Sequence, residues 1–99
     1  MASRSWTVEI LPKAQRVLDS FRREYGDNAY QEVLQQILDL EEDPTPPHAE
    51  RLRRTKDLYR IYAYRSLYRI VYQVSFGQQS VYIIRFGPRP TVYSGFDRW

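Results

Sequence analysis

The sequence predicts an α+β domain of order β-α-α-β-β-β. An N-terminal strand and a helical hairpin pack on one face of a small, mainly antiparallel, twisted sheet. Three observations predict it. Apolar residues alternate near the start of the chain. They then recur at three- and four-residue spacing from residue 14 to residue 40. They alternate again in three runs between residues 58 and 86. A period of two marks a half-buried strand, and a period near 3.6 marks a helix. Helices in one block and strands in another favour helices segregated to one face of a sheet. With 99 residues the chain makes one domain, 1–99, with one core.

In RSWTVEIL, Trp6, Val8 and Ile10 alternate with Ser5, Thr7 and Glu9, which reads as a strand with one buried face. Pro12 breaks that strand and suits the first turn of a helix. From Lys13 to Tyr25, residues Ala14, Val17, Leu18, Phe21 and Tyr25 share one helical face, and Gly26 is a natural stop. Asp27 is placed to cap a second helix by accepting backbone N–H bonds. The apolar face of that helix is Tyr30, Val33, Leu34, Ile37 and Leu40. Pro44 ends it, and PTPP makes a stiff linker. Three strands follow, at 58–64 (LYRIYAY), 68–75 (YRIVYQVS) and 80–86 (SVYIIRF). Arg65, Ser66 and Leu67 form one connection and Gly77 marks the other. Ile83 and Ile84 suggest burial on both faces of the last strand. GPRP closes it, and TVYSGFDRW forms a tail.

Charge is divided along the chain. Residues 1–48 hold five Lys/Arg and nine Asp/Glu, whereas residues 49–99 hold ten and three. A directed basic face makes phosphate-rich partners the first suspects. No cysteine is present, so disulfides and thiolate metal sites are excluded. The single histidine, His48, lies in DPTPPH and reads as a solvated loop residue. The opening residues MASRSWTVEI form no apolar signal segment, and no apolar run is long enough to span a membrane. A cytoplasmic protein is expected.

Alternation sorts the tyrosine- and arginine-rich strands. Tyr59, Ile61 and Ala63, with Tyr68, Ile70, Tyr72 and Val74, form the apolar set that packs under the helices. Arg60, Tyr62 and Tyr64, with Arg69, Val71 and Gln73, take the open face. Arg85, Arg89 and Tyr93 make a second cluster, and Arg89 is stiffened between two prolines. Such an arginine either holds a phosphate in forked geometry or touches only solvent; the residues alone leave both open. Guanidiniums beside exposed aromatics on a sheet suit RNA. This open face is expected to lack Asp, Glu, His and Lys, and so a conventional general acid or base.

The segment RLRRTKDLYRIYAYRSLYRIVYQV, followed by GPRPTVY, resembles the RelE branch of the RelE/ParE toxin superfamily. The resemblance implies a RelE-like fold and the toxin of a type II toxin–antitoxin pair. It further implies a ribosome-dependent endoribonuclease that cuts mRNA in the A site by attack of the ribose 2′-OH, with no metal and no cofactor. Carried over by position, Arg60 matches a basic residue on the first hairpin strand. Arg69 matches the arginine that contacts the scissile phosphate, and Arg89 the one that stabilises the transition state. Tyr93 matches the tyrosine that stacks on the substrate. Tyr62 stands where the family often has a lysine, which makes Tyr62, Tyr64 or Tyr93 the candidate for proton transfer. Arg51, Arg53, Arg54, Lys56, Tyr64, Arg65 and Arg85 are the candidate substrate-binding residues. GFDRW is too short for the further helix that several relatives carry. Expected partners are a cognate antitoxin, acidic or amphipathic and seated on the basic face, and the ribosome with mRNA. A ParE-like DNA gyrase inhibitor without RNase chemistry and an inactive nucleic-acid-binding module are the competing readings.

Overall fold

A computed structural model describes residues 5–53 and 55–88. The elements are β1 (Thr7–Ile10), α1 (Pro12–Tyr25), α2 (Asp27–Leu38) with a 3-10 turn at Asp39–Glu41, β2 (Glu50–Arg51), β3 (Leu58–Ala63), β4 (Tyr68–Ser75) and β5 (Ser80–Pro88). They build one five-stranded sheet in the order β1-β5-β4-β3-β2. Only β1 runs parallel to its neighbour, β5; the other pairs are antiparallel. The α+β fold is therefore as the sequence predicts, with an added two-residue strand where a plain linker was expected.

Each helix follows from local chemistry. Pro12 occupies the first helical position of α1, where its missing N–H costs nothing. Gly26 ends α1 at φ 95°, a conformation that side chains disfavour, and donates its N–H to the Arg22 carbonyl. Asp27 does not cap α2. Gly26 is the capping residue and Asp27 lies inside the first turn, where its carboxylate accepts the Arg22 Nε hydrogen bond at 2.7 Å. Its negative charge still suits a helix N-terminus.

The core lies between the helices and one face of the sheet. Ala14, Leu18 and Phe21 from α1 and Val33 and Ile37 from α2 meet Ile61, Ile70, Tyr72, Val74, Val81, Ile83 and Phe86. Each large apolar side chain buried here stabilises the fold by about 1.5–3 kcal/mol relative to exposure. Tyr72 is the largest fully buried side chain among the described residues. Its hydroxyl donates to the Pro44 carbonyl at 2.9 Å, and its ring stacks on Tyr59 with centroids 5.8 Å apart. That bond ties the proline-rich loop to the central strand.

Two local features break simple alternation. Val71 pairs with Arg85 but the next residue, Tyr72, pairs with Ile83, so Ile84 is the extra residue of a bulge. Ile83 and Phe86 are both buried in the core, and the bulge lets Ile84 and Arg85 both turn away from it. This bulge, rather than burial on both faces, accounts for the adjacent isoleucines. The second feature is the β3–β4 turn, where Tyr64, Arg65 and Ser66 all take positive φ, at 47°, 58° and 65°. Tyr64 consequently leaves the open face. Its ring packs at 5.2 Å from Phe21 and 4.8 Å from Tyr25, on the helix side.

Burial pushes the Tyr72 phenol above its ordinary range, and burial first and a hydrogen bond to Tyr25 second push Tyr68 up to about 12. Unfolded tyrosines ionise near about 10. The stabilisation is thus fully present below that pH and is lost as pH rises through the folded values. Tyr72→Phe is expected to cost about 1–3 kcal/mol at neutral pH, because the Pro44 carbonyl keeps its burial without a donor. Urea unfolding should show a lower midpoint at unchanged slope, and alkaline denaturation of the variant should be shallower than that of the parent chain.

Candidate functional site

The outer face of β3, β4 and β5 carries the site. Cross-strand register aligns Arg60, Val71 and Arg85 in one row and Tyr62, Arg69 and Gly87 in the next. Adjacent strands lie about 4.8 Å apart, so these side chains are lateral neighbours. Of the residues singled out from sequence, the structure thus brings together Arg60, Tyr62, Arg69 and Arg85.

Arg69 is not open, contrary to expectation. Only 5% of it is exposed. Its Nη1 donates to the carbonyls of Ser66 at 2.6 Å and Tyr68 at 3.1 Å. The Tyr62 ring lies over its guanidinium, with Cζ 3.9 Å from the ring centroid. Its Nε is buried and has no hydrogen-bond partner. Among the described residues no carboxylate lies within ion-pair distance of it. Arginine stays protonated even when buried. The centre of this face is therefore a fixed positive charge, sustained by two carbonyl dipoles and one aromatic ring. Val71 is also fully buried. Its cross-strand neighbours Arg60 and Arg85 are long, and arginine stems can cover apolar surface.

Strand β2 corrects a second expectation, that this face has no acid or base. Glu50 pairs with Arg60 across the β2–β3 ladder. Its Oε1 accepts from Arg60 Nε at 2.7 Å and from Nη2 at 2.6 Å. A carboxylate therefore borders the arginine–tyrosine cluster. Two residues cannot display a period, so the strand that places Glu50 leaves no alternation to read. The one sequence signal is a lone acid, Glu50, at the head of the basic stretch RLRRTK.

The other candidates lie apart from this centre or outside the described residues. Arg51 pairs with Tyr59, so pleat alternation turns it to the side opposite Glu50, and its Nη2 donates to the Thr55 carbonyl at 3.2 Å. Arg53 and Lys56 are exposed on the loop between β2 and β3. Arg65 is exposed in the β3–β4 turn, 5.4 Å from the Tyr64 ring centroid. Arg54, Arg89 and Tyr93 lie outside the described residues. His48 is exposed, as expected, and lines a cavity of about 310 Å³ with Gln36, Asp39, Leu40, Asp43 and Pro46. No residue of the arginine face lines that cavity. Among the described residues no cluster of three His, Cys, Asp or Glu is placed to hold a metal, and no helix is long and apolar enough to cross a membrane.

A helical hairpin on one face of a five-stranded sheet, with arginine and tyrosine on the other, is the architecture of the RelE/ParE toxins. The chain belongs to the ParE toxin family of type II toxin–antitoxin systems, whose model matches residues 8–93. Among solved structures it is similar to an arginine double mutant of the E. coli toxin RelE in the free state. The two are 25% identical over 91% of this chain and 92% of that one, with a TM-score of 0.72. It is also similar to the archaeal RelE–RelB complex from Pyrococcus horikoshii, at 26% identity over 88% and 98% of the two chains and a TM-score of 0.69. The RelBE2 complex of Mycobacterium tuberculosis, at 24% identity over 86% and 99% and a TM-score of 0.66, shares the fold. No curated protein matches the chain by sequence. The protein is a toxin of a type II toxin–antitoxin system with a RelE-like fold.

Among the described residues this buried cation has no carboxylate partner, and burying a charge costs several kcal/mol. Arg69→Met removes the donor to the Ser66 and Tyr68 carbonyls and should cost about 1–3 kcal/mol in urea. A loss above about 3 kcal/mol would show that the guanidinium is there to hold the fold.

Proposed function

We propose that this toxin is an mRNA interferase: a metal-independent, ribosome-dependent endoribonuclease that inhibits translation by cutting mRNA in the A site. The observation that carries the reading is Glu50 against Arg60 on the arginine–tyrosine face. A pure binding surface for phosphates has no use for a carboxylate there; a transesterification does. The 2′-OH must lose its proton as its oxygen attacks the adjacent phosphorus, and the 5′-oxygen must gain one as the P–O bond breaks. The products are a 2′,3′-cyclic phosphate and a 5′-OH.

Glu50 is the proton acceptor in this scheme. Arg60 holds one of its oxygens and leaves the other to the hydroxyl. Arg60, Arg85 and the buried charge of Arg69 stabilise the extra negative charge on the phosphoryl oxygens. Two donors of Arg69 are committed to carbonyls, so it contributes chiefly as a fixed field rather than as a free fork. Arg89 and Tyr93, at the positions that match the RNA-cleaving branch, supply transition-state charge and substrate stacking. The cognate antitoxin is an acidic or amphipathic chain that covers this same face, as solved RelE relatives are found with RelB. A ribosomal target implies a cytoplasmic site of action.

One observation favours a second reading. The family model that matches is that of ParE, and a ParE-like gyrase inhibitor would share the fold without the chemistry. Induced expression followed by mapping of mRNA 5′ ends separates the two. New ends inside translated codons, absent in Arg89→Ala, are the expected result. Glu50→Gln should slow cleavage on programmed ribosomes by roughly 100- to 10,000-fold, the usual worth of a general base. Growth arrest without new ends, together with loss of supercoiling in a gyrase assay, would establish the gyrase reading instead. RNA affinity with neither effect would point to an inactive binding module.

A further inference from the structure

Tyr62 was expected, from its position, to be a candidate for proton transfer. Its surroundings describe a different task. It is the one large apolar side chain that protrudes from this face among the described residues, at 42% exposed, while its strand neighbours Val71 and Arg69 are buried. The ring is held from one side by the Arg69 guanidinium at 3.9 Å, and Arg60 flanks it at 6.0 Å. Its backbone is held as well. The Tyr62 carbonyl lies beyond the short β2 pairing, and Gln36 of α2 reaches it with an Nε2–H donor at 2.8 Å. The held features are thus the ring plane and the strand beneath it; no described contact orients the hydroxyl. Glu50, in the next cross-strand position, offers a carboxylate that makes a phenolic base unnecessary.

We propose that Tyr62 is a stacking platform for a nucleobase of the bound strand, next to the phosphate that the flanking arginines attract. This deepens the interferase reading and rests on it for the identity of the strand. The chemistry fits in three respects. A rigid ring loses little entropy when a base settles on it. Base–aromatic stacking accepts any base because every base has a π-face, and purines offer more area. A guanidinium fixed behind the ring adds a positive field beneath the ligand, suited to a nucleotide that brings its own negative charge. The platform therefore orients the substrate and takes no proton.

The test compares Tyr62→Phe, Tyr62→Trp and Tyr62→Leu in two assays, with thermal melts to confirm folding. The first assay is single-turnover cleavage of mRNA on programmed ribosomes across a pH range. The second is equilibrium binding of a short, fluorescently labelled single-stranded RNA to the free protein, followed by the anisotropy of the label. The Phe and Trp variants should keep the parental pH profile and cleave within a few-fold of it. The Leu variant, apolar but smaller and without a π-face, should lose roughly 10- to 100-fold in both assays. It should also lose any preference for purine at that nucleotide. A Phe variant that fails while Leu and Phe bind RNA as the parent does would overturn the platform and restore Tyr62 as a proton carrier. A Leu variant that cleaves or binds better would overturn it too, because the ring would then be a cover over Arg69. If the parent protein binds RNA through Tyr62 but cuts nothing, the platform holds and the interferase reading falls. If it neither binds nor cuts, both fall.

Discussion

The site depends on one buried charge. Arg69 sits in the middle strand region of the outer face with its head covered and, among the described residues, no carboxylate to balance it. Desolvating an ion costs several kcal/mol even after a protein relaxes around it. Among the described residues the cost is offset by one turn carbonyl, that of Ser66, one strand carbonyl, that of Tyr68, and one ring face. The remaining deficit is what gives the face its character. An uncompensated cation beneath a surface attracts anions more strongly than the same charge in water, because less solvent screens it.

Much of the neighbouring geometry follows from holding that head in place. The β3–β4 turn runs through three successive left-handed residues with no glycine or asparagine among them. Each such residue costs about 1–2 kcal/mol relative to an unstrained conformation. The arrangement persists because it is anchored at both ends. Ser66 offers its carbonyl to Arg69, and Tyr64 inserts its ring among Phe21, Tyr25 and Tyr68. Strain gathered at a functional centre and stabilised by packing elsewhere is a common pattern. On the far side of the pair, Gln36 fixes the strand that carries Tyr62, so helix α2 takes part in shaping a face it does not touch.

The sequence reveals the scaffold well and the site unevenly. Period-two and period-3.6 patterns identify the helices and long strands, and they pick out Ile61, Ala63, Ile70, Tyr72 and Val74 as core. Alternation says which side of a strand a residue takes, but not whether that side is covered. Alternation places Arg69 on the outer face, yet its cover comes from Tyr62, its cross-strand neighbour, and from the carbonyl of Ser66 in a turn whose conformation no residue type announces. Phase errors explain other differences. The left-handed turn swings Tyr64 to the helix side, and the bulge at Ile84 resets alternation in β5. Glu50 is not legible as part of the face because a two-residue strand has no period, although it supplies the carboxylate that the arginine face was expected to lack.

The most direct check on this account is the Arg69 Nε–Hε signal in a 15N NMR spectrum, followed through hydrogen exchange with and without single-stranded RNA. A fixed, covered guanidinium should give a resolved signal that exchanges far more slowly than those of exposed arginines. It should show contacts to the Tyr62 ring protons that survive RNA binding. A rapidly exchanging signal in the free protein, or loss of the Tyr62 contacts when RNA binds, would contradict it. In that case Arg69 would be a mobile side chain that meets its phosphate directly, and the face would owe its charge to the surface arginines alone.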